Sequence, residues 1–277
     1  MVIDQAWNAL YQKLEREGLL PENTSGNRQR RQIANAGKLA VAAAIIIACV
    51  LSGWYFTREK RQYNASMLVM YNEVHSPTLA TMLDDGSVVY LSEQTSLKYP
   101  ECFAADKREV FLQGEAFFNI KNQPGRPFVI DTEIAGVEVT GTSFKMKSEN
   151  NTSFSLAVRE GEVRVTQKNS RQSIAVKAGE SVVFDAGQNQ LKKNAAACNE
   201  FFSHIRFKDE RLVDVATIIN LHLDTLQLKI DPAIGNRILT FTFIVNSNIT
   251  ETAGLICKAL DLRLSQQDHM LYISKPE

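Results

Sequence analysis

"TSFSLAVREGEVRVTQ", residues 152–167, decides the fold class of most of this chain. Phe154, Leu156 and Val158 alternate with Ser, Ala and Arg, the chain turns at Glu160-Gly161, and Val163 and Val165 resume the alternation. A period of two places apolar side chains on one face of a half-buried strand, and a glycine between two such runs supplies the positive φ a tight turn requires. The same pattern recurs around Asp85-Gly86 in "ATMLDDGSVVYL", Gln113-Gly114 in "VFLQGEAFFNI" and Gly141 in "GVEVTGTSFKMK". No long helical period interrupts it. Residues 62–192 are therefore expected to form an all-β domain, a sandwich, a roll or a short solenoid.

Beyond a polar linker near 188–199 the pattern changes. "HIRFKD" and "LQLKID" read as strands flanking a helix whose face carries Leu212, Val215, Ile219 and Leu223. "ILTFTFIV" is a further strand, Thr250–Leu260 a second helix, and "LRLSQQDHMLYIS" closes with two strands around Gln267-Asp268. Asn248, with Glu251 three residues on, starts the second helix in the manner of a capping box. The repeat is β-α-β, giving a small α+β domain over 200–277.

Before the β region, residues 39–56 carry no charge over 18 positions, interrupted only by Ser52 and Gly53. At about 1.5 Å per residue this is a helix of roughly 27 Å, close to the hydrocarbon thickness of a bilayer. Trp54 and Tyr55 stand at one end, as an interface belt would. Arg28, Arg30, Arg31 and Lys38 precede the run, and Arg58, Lys60 and Arg61 follow it. A transmembrane helix over 39–57 is expected, with a slight basic bias toward a cytoplasmic N-terminus. A lipoprotein signal competes, because Ile46-Ile47-Ala48-Cys49 loosely matches a lipidation box, but the apolar run continues past Cys49.

Residues 1–38 combine one helix and a basic linker. Trp7, Leu10, Tyr11 and Leu14 fall at i, i+3, i+4 and i+7, with Asp4 as the expected N-cap and Gly18 as a stop. So little chain surrounds this stripe that it needs a partner protein or a lipid surface.

Charge and chemistry exclude more than they assign. Thirty-one basic and 31 acidic residues leave no excess to attract nucleic acid. Cys49, Cys102, Cys198 and Cys257 lack metal-ligand or disulfide-framework spacing, although a Cys102–Cys198 bridge stays open. His75, His204, His222 and His269 are scattered, and no nucleophile elbow, phosphate loop or zinc motif occurs. Asp84 and Asp85 read as turn residues and "GTSF" (141–144) as a strand kink. No catalytic, cofactor or metal site is expected.

Six phrases in order, "LDDGSVVYLSEQTSLKYP" (83–100), "REVFLQGEAFFNI" (108–120), "RPFVIDT" (126–132), "VTGTSFKMK" (139–147), "VREGEVRV" (158–165) and "KAGESVVF" (177–184), resemble the FecR family of periplasmic domains. Residues 200–275 resemble the short N-terminal signalling domain of secretins and TonB-dependent receptors. The resemblance implies a single-pass inner-membrane anti-sigma factor with periplasmic C-terminal domains. Its implied partners are an extracytoplasmic-function sigma factor, the signalling domain of a TonB-dependent outer-membrane transporter and an intramembrane protease. Trp7, Leu10, Tyr11 and Leu14 become the candidate sigma contact. Leu239, Thr240, Phe241, Thr242 and Phe243 become a candidate strand for receptor addition, with the threonines on one face and the apolar residues on the other. The resemblance implies further helices ahead of the segment that "IDQAWNALYQKLE" matches, so the expectation is either a translation start upstream of Met1 or a truncated sigma-binding region. The alternative is a membrane-anchored structural or glycan-binding module without sigma control.

Overall fold

Residues 152–167 form two strands, but these do not pair with each other. In the computed structural model, which describes residues 2–19, 47–49, 52, 66–196, 198 and 202–276, Ser153–Glu160 and Glu162–Gln167 lie in different sheets. Gly161, at φ +83°, carries the chain between them. A hairpin turn and a crossing between sheets demand the same positive φ, so the alternation alone cannot separate the two.

The chain divides into residues 1–64 and 65–277. The first contains α1 (Val2–Arg16), which ends at Gly18 in the left-handed region as the sequence predicts. It begins ahead of Asp4, so Asp4 lies within the helix instead of capping it; helix ends shift by a residue or two readily. The 39–57 run falls outside the described residues except for helical positions 47–49 and 52. Among the described residues no helix is long and apolar enough to cross a membrane.

Along the second body run β1 (Met67–Asn72), β2 (Thr78–Met82), β3 (Val88–Leu91), β4 (Thr95–Pro100), β5 (Arg108–Asn119), β6 (Phe128–Asp131), β7 (Ala135–Val139), β8 (Ser143–Glu149), β9 (Ser153–Glu160), β10 (Glu162–Gln167), β11 (Ser173–Lys177), β12 (Glu180–Asp185) and β13 (Gln190–Ala195). After them come β14 (His204–Arg211), α2 (Leu212–Asn220), β15 (Gln227–Ile230), β16 (Ile238–Ile244), α3 (Ile249–Leu260), β17 (Arg263–Gln267) and β18 (Met270–Ser274).

One face-to-face sheet has the order β1-β4-β5-β6-β7-β10-β11 and the other β13-β12-β9-β8-β5-β3-β2-β14-β16. They share β5. Its first half pairs with β4 and β6, and from Gly114 its second half pairs with β3 and β8. Gly114 sits at φ +110° with Thr95 against it: a Cβ there would lie 2.6 Å from the Thr95 hydroxyl oxygen and 2.8 Å from its Cα. Two further crossings pack on one another, since a Cβ at Gly161 would meet Thr142 Cγ2 at 2.6 Å. "GTSF" is thus a corner between β7 and β8, with a register shift at Ser143/Phe144 where β8 meets β9.

The middle of the second sheet, at β2, β3 and the second half of β5, is buried on both faces. Val89, Leu91 and Phe118 enter the core between the sheets. Val88, Tyr90 and Phe117 enter a second core with α2, α3, Ile205, Phe207 and Phe243. Beyond the helices lies a third sheet, β15-β18-β17. The C-terminal β-α-β repeat is therefore joined to the β domain: β14 pairs in parallel with β2 at Ile205–Thr78 and Arg206–Leu79. Asn248 caps α3 by accepting a hydrogen bond from the Thr250 amide at 3.0 Å, and Glu251 meets the Asn248 side chain. Leu223 lies beyond the end of α2 but packs against the same core.

Candidate interaction surfaces

On α1, Trp7 is 60% exposed, Leu10 and Tyr11 are exposed, and Leu14 is half-buried. Three large apolar groups on one face of a 15-residue helix are costly to leave in water, at roughly 1.5–3 kcal/mol for each side chain a partner could bury.

The candidate receptor strand is β16, which has β14 on one side and ends the strand order of its sheet. Leu239 and Phe243 are buried and Phe241 is half-buried against the helix-side core. Ile238, Thr240, Thr242 and Ile244 are exposed on the other face. The alternation read from the sequence thus matches the burial, and the free side of β16 presents backbone groups that a strand could pair. At its far end the β14–β16 ladder is bulged between Phe207 and Glu210. Asp209 takes φ +54°, and its amide donates to the Thr240 hydroxyl at 3.0 Å.

That bulge turns Glu210 inward. The side chain is only 9% exposed, and burial pushes its carboxyl up to about 7; a hydrogen bond from Thr81 on β2 and the charge of Arg211 oppose the rise, while Asp214 and Asp209 add to it. Tyr99 on β4 is raised too, by burial and then by Glu210. Arg211 is taken up by Asp214, with Nε 2.6 Å and Nη2 3.0 Å from its carboxylate oxygens.

An aromatic cluster closes the same seam from the helix side. The Tyr90 hydroxyl lies 3.0 Å from His222 Nε2, and Phe202 stacks on Tyr90 at 4.6 Å between ring centroids. Arg159 sits 4.9 Å above Phe117. His222 is held below the usual histidine range by burial and by the Arg159 charge.

Asp85 does more than favour a turn. Its carboxylate accepts from the Ser87 amide and hydroxyl at 2.9 and 2.7 Å, and it pairs with Arg108 at 2.7 Å with both side chains fully buried. Arg108 also donates to the carbonyls of Arg126, Lys121 and Thr140. Each nitrogen of this buried guanidinium is thereby engaged, which ties the β2–β3 hairpin to the start of β5 and to the corners around it. In sequence the two residues are 23 apart, and no local pattern links them.

The four cysteines are free, so Cys102 and Cys198 are not bridged. Among the described residues no group of His, Cys, Asp and Glu is arranged to hold a metal ion.

Residues 77–164 match the family model described as FecR protein. The β domain is similar to FecR proteins over that stretch. The match begins at β2 and ends within β10, so it takes in both sheets, the β5 crossing and the buried Asp85–Arg108 pair. Two crystal structures, both provisionally described as an anti-sigma factor from Parabacteroides distasonis ATCC 8503, each align with 76% of this chain and 100% of their own, at 21% identity and a TM-score of 0.46. No curated protein matches the chain.

Proposed function

We propose that this chain is a single-pass regulator of the anti-sigma type. Residues 1–38 hold an extracytoplasmic-function sigma factor in the cytoplasm, residues 39–57 cross the inner membrane, and the FecR-like domain with its C-terminal lobe reads the signalling domain of a TonB-dependent transporter in the periplasm. The observation that carries this reading is the FecR-like domain standing C-terminal to an uncharged 18-residue run, with an exposed apolar helix face on the other side of that run.

On this reading the transporter's domain adds a strand to the free edge of β16. Backbone pairing supplies affinity there, and Thr240, Thr242 and the flanking isoleucines supply register. An intramembrane protease acting on the 39–57 segment would release the N-terminal end and its sigma factor. The test is capture of the cognate sigma factor by residues 1–38, with Trp7→Ala and Leu10→Ala weakening capture by about 2–4 kcal/mol, as loss of two large apolar anchors does. Failure of both residues 1–38 and a version extended at any upstream start to capture a sigma factor would sink the regulator reading. Labelling of exposed Cys102 by an impermeant maleimide in intact spheroplasts, lost in Cys102→Ser, is expected for a periplasmic C-terminal part.

A further inference from the structure

The corner where β5 changes sheets is hollowed on its outer side. Pairing with β6 runs through Phe111 and pairing with β8 begins at Gly114, so Leu112 and Gln113 face neither strand. The diverging strands leave a hollow of about 300 Å³ floored by Phe111 and Leu112. It adjoins a second of about 750 Å³ that reaches Tyr71, and Ser96, Gln113 and Asn150 line both. Together they have the size of a ligand site, but hydroxyls, amides and charges replace the apolar lining usual in pockets for hydrophobic ligands.

The chemistry narrows the occupant. Around the cleft Asp131 pairs with Lys168 at 2.8 Å, Lys147 with Glu149 at 2.9 Å and Lys145 with Glu115 at 2.6 Å. Lys98, Glu93 and Glu133 line the cleft as well, so its rim carries both signs and presents no field of one sign to an ion. An extended peptide would need a run of unpaired backbone, and the open stretch of β5 is two residues long. What is left available are amides and rings. Gln113 Nε2 makes only a long 3.4 Å contact to Asn150 Oδ1, so both amides keep donor and acceptor capacity. Tyr71 is 51% exposed at one end and Phe111 half-buried at the other, each an apolar plate beside polar groups.

We propose that this cleft binds a neutral oligosaccharide, with sugar faces against Tyr71 and Phe111 and sugar hydroxyls on the amides of Gln113 and Asn150. The site is independent of the sigma-factor reading, because it lies wholly within the FecR-like domain.

The test is calorimetric titration of the full chain in lipid nanodiscs with maltohexaose, cellohexaose, xylohexaose and α-1,6-mannohexaose, after a screen on a printed glycan array. At least one neutral oligosaccharide is expected to bind, and Tyr71→Ala and Gln113→Ala are each expected to weaken it by about tenfold or more. Both side chains are exposed, so thermal unfolding stays unchanged and loss of binding reads the site itself. Protection from hydrogen exchange on adding sugar should map to β4 and β5. No binding at about 10 mM sugar would overturn the proposal. So would binding that both substitutions leave intact, or cleft occupancy by a synthetic extended peptide in place of every sugar. Sigma-factor capture by the full chain stays the same in either variant, which keeps the two readings separately refutable.

Discussion

Replacing Glu210 with glutamine should stabilise this protein, and should do so only above mildly acidic pH. The carboxyl is almost fully buried where the β14 bulge meets Thr81 and Tyr99, and its pKa is raised from 4.5 to about 7. A folded-state pKa above the unfolded value means that the native protein binds the proton more tightly. Stability contributed by the protonated carboxyl is complete below pH 4.5, declines as pH rises, and is gone above 7. Integrated from pH 5 to pH 8, the loss is about 2–3 kcal/mol. Glutamine keeps the shape and the hydrogen-bonding capacity of the protonated acid but does not titrate. The difference between variant and wild type should therefore grow by about 2–3 kcal/mol across that window, a shift of roughly 1 M in urea midpoint. Taking the difference also cancels His222, whose depressed pKa acts with the opposite sign: its contribution is lost as pH falls, when the unfolded chain takes up the proton. Urea unfolding of both proteins at pH 5 and pH 8 decides the matter. A difference that is the same at both pH values would refute the argument that an uncompensated charge is buried at the seam.

Other perturbations read the corners and the buried pair. Arg108→Met leaves Asp85 charged and enclosed, and should cost about 3–5 kcal/mol in chemical denaturation; adding Asp85→Asn should recover part of it. Thr142 has a buried hydroxyl with no hydrogen-bond partner among the described residues. Thr142→Val should accordingly be neutral or stabilising by up to about 1 kcal/mol in thermal melts, against the usual loss for a buried hydroxyl that is bonded. Gly114→Ala places a Cβ against Thr95 in a backbone region that L-residues avoid, and should destabilise by about 2 kcal/mol or more. A pairing Thr95→Gly substitution should relieve only the side-chain part of the clash, because the 2.8 Å approach to the Cα of residue 95 and the strained φ both stay.

The strands were legible in the sequence and their partners were not. Alternation at Phe154, Leu156 and Val158 correctly marks an inward face, but the β9–β10 turn, read locally, suggests a hairpin where the chain in fact changes sheets. The signal that the middle of the second sheet is covered on both sides was present as a continuous apolar run, Val88–Leu91, all four residues buried, and again as the adjacent Phe117 and Phe118, which enter different cores. Runs of this kind mark strands with two buried faces. Among functional candidates, the α1 stripe and the β16 alternation were readable because each is local and periodic. Glu210, His222 and the β5 cleft were not, because each depends on groups brought together from distant strands. The cleft in particular is made by where pairing stops, between Phe111 and Gly114, and a sequence carries no direct mark of an unpaired edge.

The joint between the lobes bears on how a signal at β16 would travel. From β13 to β16 the second sheet is one continuous hydrogen-bonded layer, so a strand added at β16 extends the sheet that forms the floor of the core between the two sheets. The narrowest link in that layer is the parallel β2–β14 contact, with two registered residue pairs. It is braced on one face by Glu210 near Thr81 and on the other by the Tyr90–His222–Phe202 cluster. Packed cores transmit a displacement as a body, or they break at their weakest ladder. Loading β16 should thus show first as faster amide exchange in Thr78–Met82 and His204–Arg211, ahead of any change in β5 or β8. Glu210→Gln, by strengthening the joint at neutral pH, should suppress that difference, whereas Tyr90→Phe, by removing the hydroxyl contact to His222, should enlarge it. Exchange that rises uniformly across both sheets would mean that the lobes unfold as one unit and that the joint has no separate mechanical role.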